Sequence, residues 1–300
     1  MDNNTNSSRK KIRFLYFVFG VSLAAIIFCA AGLALELYTK GQGQAYYAAL
    51  SMAQNTDRYN NTTNNMANNI TTEMPDVNNI IGTAIYEVTP VVFEETPYVP
   101  YVPHVPSVDF DPLKEMFPDI VAWISSPGTV IDYPVMQAND NCFYLSRLPD
   151  GTHNKMGSIF LDYRNSADFS DSNILIYGHD MNSGDMFGTL RNYANQSFYE
   201  EHYRMFIYTP ERDYELILFA GYILDSSVET PPMGFRSEEA FDDYIADIKQ
   251  RSIFISDVTA SYGDRLVFLC TCTGRTRDER LIIVGKLVPY GHKAAINNKN

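Results

Sequence analysis

Between residues 130 and 288 the chain is a succession of short apolar runs separated by turn residues. The runs are Val130–Met136, Gly157–Leu161, Asn173–Tyr177, Arg204–Tyr208, Tyr214–Leu224, Arg265–Cys272 and Leu281–Val288. Runs of this length, rich in β-branched and aromatic residues and bounded by Gly, Asn, Asp and Pro, read as strands. Seven or eight of them predict a β-barrel or sandwich rather than a βαβ sheet. One clear helix interrupts the series at Ser237–Ser252, where Phe241, Tyr244, Ile245 and Ile248 share a face and Ser237 is the N-cap. A second helix opens the folded region, with Asp111 as its N-cap and Pro112 at its first helical position. Pro118 ends it, and Asp119–Ile124 reads as the start of another turn. Trp123, the only tryptophan, reads as a core anchor.

Chemistry concentrates at two strand ends. The strands Leu266–Cys272 and Leu281–Val288 flank a polar loop, Thr273 to Arg280, that carries Gly274, Arg275, Arg277 and Arg280. A cysteine where a buried strand meets a cationic loop is held in place, exposed, and favoured as thiolate, the nucleophilic form. Cys270 and Cys272 share a strand face, so geometry alone leaves both open as that nucleophile. Upstream, the strand Asn173–Tyr177 ends in Gly178 and His179. Of the five histidines, only His179 follows a buried strand, which makes it the general acid/base candidate. His104 lies in a proline-rich stretch, His292 near the tail, and His153 and His202 in polar surroundings that read as surface. Arg280 directly precedes the last strand, where backbone pairing would fix it beside Cys272. A rigid guanidinium there can hydrogen-bond a developing oxyanion, with Arg275 and Arg277 as runners-up. Asp180 is not assigned to a triad, because neighbouring side chains on a strand face opposite ways. Cys270, Cys272 and His179 do not complete a zinc signature. A net charge of -13 argues against nucleic acid as a partner.

Leu-Cys-Thr-Cys at 269–272, followed by Arg280 and a Leu-Ile-Ile-Val-Gly-Lys strand, after an upstream Tyr-Gly-His at 177–179, resembles the sortases, and class B in particular. Asn139 to Leu145 and Gly157 to Asn165 also look like class B segments, and the resemblance spans roughly residues 108 to 292. It implies a sortase-like closed β-barrel of about eight strands, with an N-terminal helix and a helix before the last two strands. By the same resemblance Cys272 is the nucleophile of the Leu-x-Thr-Cys pattern, and His179 protonates the departing amine. Arg280 is then the essential arginine. Thr271, Tyr177, Asn141 and Leu145 are the implied substrate-groove residues. Cys270 stands where the family commonly has Ser, which adds a second oxidisable thiol. The implied activity is cleavage of a C-terminal sorting signal after Thr, through a thioester, and transfer of the protein to an amine of a lipid II-like cell-wall precursor or a pilin. No cofactor or metal is implied. The rivals are a cell-wall cysteine peptidase and a non-catalytic stalked surface protein. The peptidases in question place Cys before His, the reverse of the order here.

The N-terminal third has a different character. Residues 14–35 are free of charge and proline, about 33 Å as a helix, enough to cross a bilayer core. Arg9, Lys10, Lys11 and Arg13 precede them, so residues 1–13 read as a cytoplasmic tail and 14–35 as a single-pass signal anchor, with everything downstream outside. Residues 36–107 read as an extracytoplasmic stalk. Tyr46 to Gln54 is compatible with a turn or two more of the membrane helix. Asn55 to Asn79 is rich in Asn and Thr, and Pro97, Pro100, Pro103 and Pro106 have the three-residue period of polyproline II. The catalytic domain is expected over 108–292, able to fold alone, with 293–300 as a tail.

Overall fold

The computed structural model describes residues 28–54, 108–272 and 278–290, with Cys272 described through its backbone alone. In chain order the elements are α1 (28–54), α2 (Phe110–Met116), β1 (Ile120–Ser125), β2 (Asp132–Met136), β3 (Ile159–Leu161) and β4 (Asn173–Tyr177). After them come α3 (Gln196–His202), β5 (Arg204–Tyr208), β6 (Asp213–Asp225), α4 (Glu238–Gln250), β7 (Arg265–Cys272) and β8 (Glu279–Pro289). Short 3-10 segments stand at Phe143–Ser146 and Gly188–Ala194. The eight strands close into a barrel in the order β1-β2-β3-β4-β7-β8-β6-β5, the architecture expected. Pairings β2–β3 and β4–β7 are parallel and the rest antiparallel.

The two-residue period of the strands sorts their side chains between a main core and two outer clusters, one of them formed by Trp123, Met136, Phe160, Phe206 and Tyr208 with α2. Ile174 and Ile176 of β4, Val267 and Leu269 of β7, and Leu281 and Ile283 of β8 join one cluster with the alternating residues of β1 and β2. Leu175, Leu266, Phe268, Cys270, Ile282 and Val284 face the other way, into a second cluster closed by Phe241, Ile245 and Ile248 of α4. In β6 the alternation breaks: Tyr214, Leu216 and Leu218 join the first cluster, whereas Ala220, Tyr222 and Leu224 join the second. A register irregularity between Leu218 and Ala220 in the β6–β8 pairing accounts for the switch. Helix α4 is capped as expected, Ser237 accepting from the Ala240 amide.

Helix α2 is capped by Asp109, which accepts from the Asp111 amide, not by Asp111, so the helix begins at Phe110 and Pro112 is its third residue rather than its first. Two further expectations need correction. Ile120–Ser125 is a strand, not a helical turn, paired with β2 on one side and β5 on the other. Its Trp123 is fully buried, as an anchor should be, and donates its indole N–H to the Asp132 carboxylate at 2.7 Å. Tertiary pairing on both edges outweighs the turn signal of the preceding Pro118-Asp119. The second concerns the start of the folded unit. Gly43, Tyr47, Leu50 and Gln54 lie along one face of α1, at helical spacing, and this face is its buried or half-buried side. Tyr47 is part of the main core and packs edge-on against Tyr133 at 5.2 Å. Its hydroxyl donates to the Gly157 carbonyl at 2.6 Å. Asn154 donates to the Thr39 carbonyl, Gln44 to Asp185 and Ser51 to Asp132. Residues 36–54 are therefore a docked helix rather than the beginning of a stalk. The proposed membrane segment lies outside the described residues up to 27, and its last part, 28–35, is exposed helix. Among the described residues no helix is long and apolar enough to cross a membrane.

Because α1 supplies a buried tyrosine to the barrel core, a fragment beginning at Val108 should melt at least about 5 °C below one beginning at residue 28, since burying or losing an aromatic is worth about 3–5 kcal/mol. Calorimetry of the two fragments decides it; coincident transitions would show that the docked helix contributes nothing to stability.

Candidate active site

Strand β7 lies between β4 and β8, and the residues singled out in the sequence gather at its C-terminal end. The parallel β4–β7 ladder pairs Tyr177 with Cys270, and the Gly178 amide continues it by donating to the Cys270 carbonyl at 3.1 Å. One further step along that register carries His179 alongside the end of β7. On the other side, antiparallel β8 places Arg280 directly across from Cys272, a separation of about 4.5–5.5 Å between α-carbons. Three residues distant in sequence are thus brought to one rim by backbone pairing. Arg275 and Arg277 lie outside the described residues.

Local details explain the motif residues. Thr271 is buried, and its hydroxyl donates to the Gly178 carbonyl at 2.7 Å, bolting the end of β7 to the residue before His179. Gly178 is required by contact: a Cβ there would fall 2.4 Å from Ile159 Cδ1 and 2.7 Å from the Phe187 ring. His179 is half-buried, and its Nε2 lies 2.6 Å from the Leu145 carbonyl oxygen. A carbonyl can only accept, so Nε2 carries the proton and Nδ1 is the free nitrogen of the neutral ring. Leu145 itself has an exposed side chain, and its role here is played by its backbone. Gly157, at φ 61°, packs beneath this carbonyl; a Cβ there would lie 2.7 Å from the Leu145 oxygen.

The other implied groove residues form a polar network. The Asp162 carboxylate is fully buried and accepts from the Arg164 amide, Nε and Nη2 at 2.8–2.9 Å. It also accepts from Asn141 Nδ2 at 3.0 Å and from the Tyr177 hydroxyl at 2.9 Å. Burial alone would raise its pKa, but the hydrogen bonds from Arg164, Asn141 and Tyr177 together outweigh burial and bring it down to about 2. Burial pushes the Tyr177 hydroxyl up, so it stays a donor. Sequence reading assigned no chemistry to Asp162, although an Asp two residues before an Arg on a strand exit was a readable hint. A polar cleft of about 490 Å³, lined by Asp119, Gln137, Asn139, Asp140 and Tyr163 among others, opens beside the 143–146 segment but includes neither His179 nor Arg280.

Of the two competing thiols, Cys270 is buried under α4, with Sγ 3.6 Å from the Phe268 carbonyl. Burial pushes its pKa up, against the pull of Arg280. Nucleophilicity and oxidation both need an accessible thiolate, so Cys270 is a packing residue and not the oxidisable thiol expected. Asp180 pairs with Arg191, in keeping with its omission from a triad. His202 is not the surface residue expected: its side chain is mostly covered, against Phe198 at 4.4 Å, whereas His153 is exposed.

The depressed pKa of Asp162 has a sign: its ionised form stabilises the fold above the ordinary value of 3.8, and that stability is lost as pH falls through about 2. The contribution is on the order of 2 kcal/mol. Asp162→Asn should lower stability at pH 7 and flatten the acid limb of the stability–pH curve between pH 4 and 2; urea titrations at each pH measure both, and an unchanged limb would show that Asp162 does not titrate this way.

No family model matches the chain. It is 36% identical over 178 residues to sortase B of Listeria monocytogenes, covering 59% of this chain and 72% of that protein. It is 31% identical over 181 residues to sortase B of Staphylococcus aureus, covering 60% and 74%. A structure of the Staphylococcus aureus sortase B–substrate complex superposes with a TM-score of 0.58 at 30% identity, over 61% of this chain and 85% of that one. A Bacillus anthracis protein described as similar to sortase B gives 0.56 at 33% identity, over 61% and 83%. With relatives at this level of identity and a barrel of the same architecture, the chain belongs to the class B sortase family, a sortase transpeptidase.

Proposed function

We propose that this sortase cleaves a Pro-x-Thr-Gly- or Pro-x-Thr-Asn-like sorting signal at the C-terminus of exported proteins and joins them to an amine of a cell-wall precursor or pilin. Cys272 Sγ passes its proton to His179 Nδ1 and attacks the Thr carbonyl carbon, and Arg280 donates to the oxyanion that forms. The C–N bond breaks as the leaving amine takes a proton from His179, which leaves a thioester. The acceptor amine then attacks the thioester and gives up a proton to His179, and the thiolate departs. The observation that carries this reading is the register of β7, with Cys272 opposite Arg280 and the Gly178–His179 end of β4 on its other flank. Burial, which keeps Cys270 a protonated thiol, supports Cys272 as the nucleophile by elimination.

The N-terminal segment fits the same task. Residues 14–35 serve as an anchor with the basic tail inside, and α1 joins that anchor to the barrel on the outer face, where exported substrates and lipid-linked precursors meet.

Two measurements test these assignments. With quenched peptides carrying either signal, Cys272→Ala should abolish turnover, and His179→Ala should lose about 10²–10⁴-fold. Arg280→Ala should lose about 10²–10³-fold, with only partial recovery in Arg280→Lys because the fork geometry is missing. Cys270→Ser should remain active. An active Cys272→Ala variant alongside a dead Cys270→Ser would reverse the nucleophile. For topology, protease added to intact protoplasts should release the barrel; a barrel that stays protected would overturn the orientation.

A further inference from the structure

The His179–Leu145 hydrogen bond spans two backbone segments that are far apart in the chain. On one side the 143–146 segment is held by backbone bonds from Ser158 to Tyr144 and from Asn154 to Ser146. Its entrance is held differently, through the side chain of Asn141, four residues before Leu145. Asn141 Nδ2 donates to Asp162 at 3.0 Å, and its Oδ1 accepts from the Tyr163 amide at 3.0 Å. The same carboxylate accepts from the hydroxyl of Tyr177, the last residue of β4 and two residues before His179. Tyr177 is itself fixed by stacking on Phe160 at 5.3 Å. One buried group therefore holds both the segment that offers the carbonyl and the strand that offers the imidazole.

We propose that Asp162 is a positioning residue for the transpeptidation: its carboxylate ties the Asn141–Leu145 segment to the end of β4 and so holds His179 with Nε2 on the Leu145 carbonyl and Nδ1 free for the reacting atoms. This rests on the reading of His179 as the acid/base. Only a carboxylate suits the place. Every group around it is a donor, and a carboxylate is acceptor-only with room for about four or more such bonds. Arg164, half-exposed and bidentate, balances the charge while leaving the outer lone pairs to Asn141 and Tyr177. Both ties end on Oδ2, so an amide at 162 breaks them together when its NH₂ takes that place, and otherwise sets the NH₂ against the Arg164 amide and Nε.

The full chain in detergent micelles, with its histidine rings labelled with ¹⁵N, tests the proposal; His179→Ala assigns the ring signals. In wild type the neutral His179 ring should show the Nε2–H tautomer. Asp162→Asn should lose that tautomer preference and lower kcat about tenfold to a hundredfold, with KM within about twofold, the cost of a displaced catalytic group. Asn141→Ala and Tyr177→Phe each remove one tie while leaving the Asp162–Arg164 pair intact, and each should show a smaller shift of the same kind. These two decide the matter if Asp162→Asn does not fold. Unchanged ring signals and kcat in folded variants would overturn the proposal, and so would a rise in KM alone, which would make Asn141 and Tyr177 direct substrate contacts. Normal turnover by His179→Ala would instead overturn the acid/base reading, with the ring signals still reporting whether Asp162 orients the imidazole.

Discussion

The parallel pairing of β4 with β7 is the constraint from which the rest of this structure follows. Parallel neighbours cannot be joined by a tight turn, so the chain leaves β4, builds α3, β5, β6 and α4, and only then returns. That detour supplies the far wall of the barrel and the helix that covers the second core. Once β7 is in register, β8 needs only the short 273–278 connection to run back beside it and set Arg280 across from Cys272. The ladder ends where Thr271 donates to the Gly178 carbonyl. Beyond that bond lie Cys272, the last residue of β7, and His179, two residues past the end of β4.

Much of this was legible because strands buried on both faces leave long apolar runs. Asn173–Tyr177, Arg204–Tyr208 and Arg265–Cys272 have the predicted limits, since their flanking residues are strong turn formers. Strand β1 was missed for the opposite reason. It follows Pro118-Asp119 directly, and although β2 comes next in the chain, its other partner, β5, lies at long range, so the local signal was that of a turn. The docking of α1 was also illegible: Tyr47 is one of many tyrosines, and its place in the core depends on Tyr133 and Gly157, more than 80 residues away. At the site, Thr271 and Gly178 could be read as motif letters, but their physical roles come from a cross-strand contact. The Leu145 carbonyl could not be read at all, because any residue has one.

The two cysteines of β7 show how burial divides residues that sequence treats alike. Both stand at the end of β7, two residues apart. Cys270 is covered by α4 and its neighbours, and desolvation keeps it a thiol even with Arg280 near enough to act on it. Desolvation of the charged form outweighs the attraction of one cation when the thiol is sealed from water.

Asp162 is the costliest group near the site, and stability alone does not explain it. A buried ion pair can often be replaced by well-packed apolar residues at no loss, because the desolvation penalty consumes most of the Coulombic gain. What an apolar replacement could not do is accept from Arg164, Asn141 and Tyr177 in fixed directions. Apolar contacts are non-directional, whereas five hydrogen bonds on one carboxylate define where the 141–145 segment sits relative to the end of β4. A fraction of an ångström there is tolerable to the fold and not to a 2.6 Å bond between His179 and a backbone carbonyl. The barrel ladders set the coarse placement of the strand ends, and the buried carboxylate fixes the 141–145 segment against the end of β4.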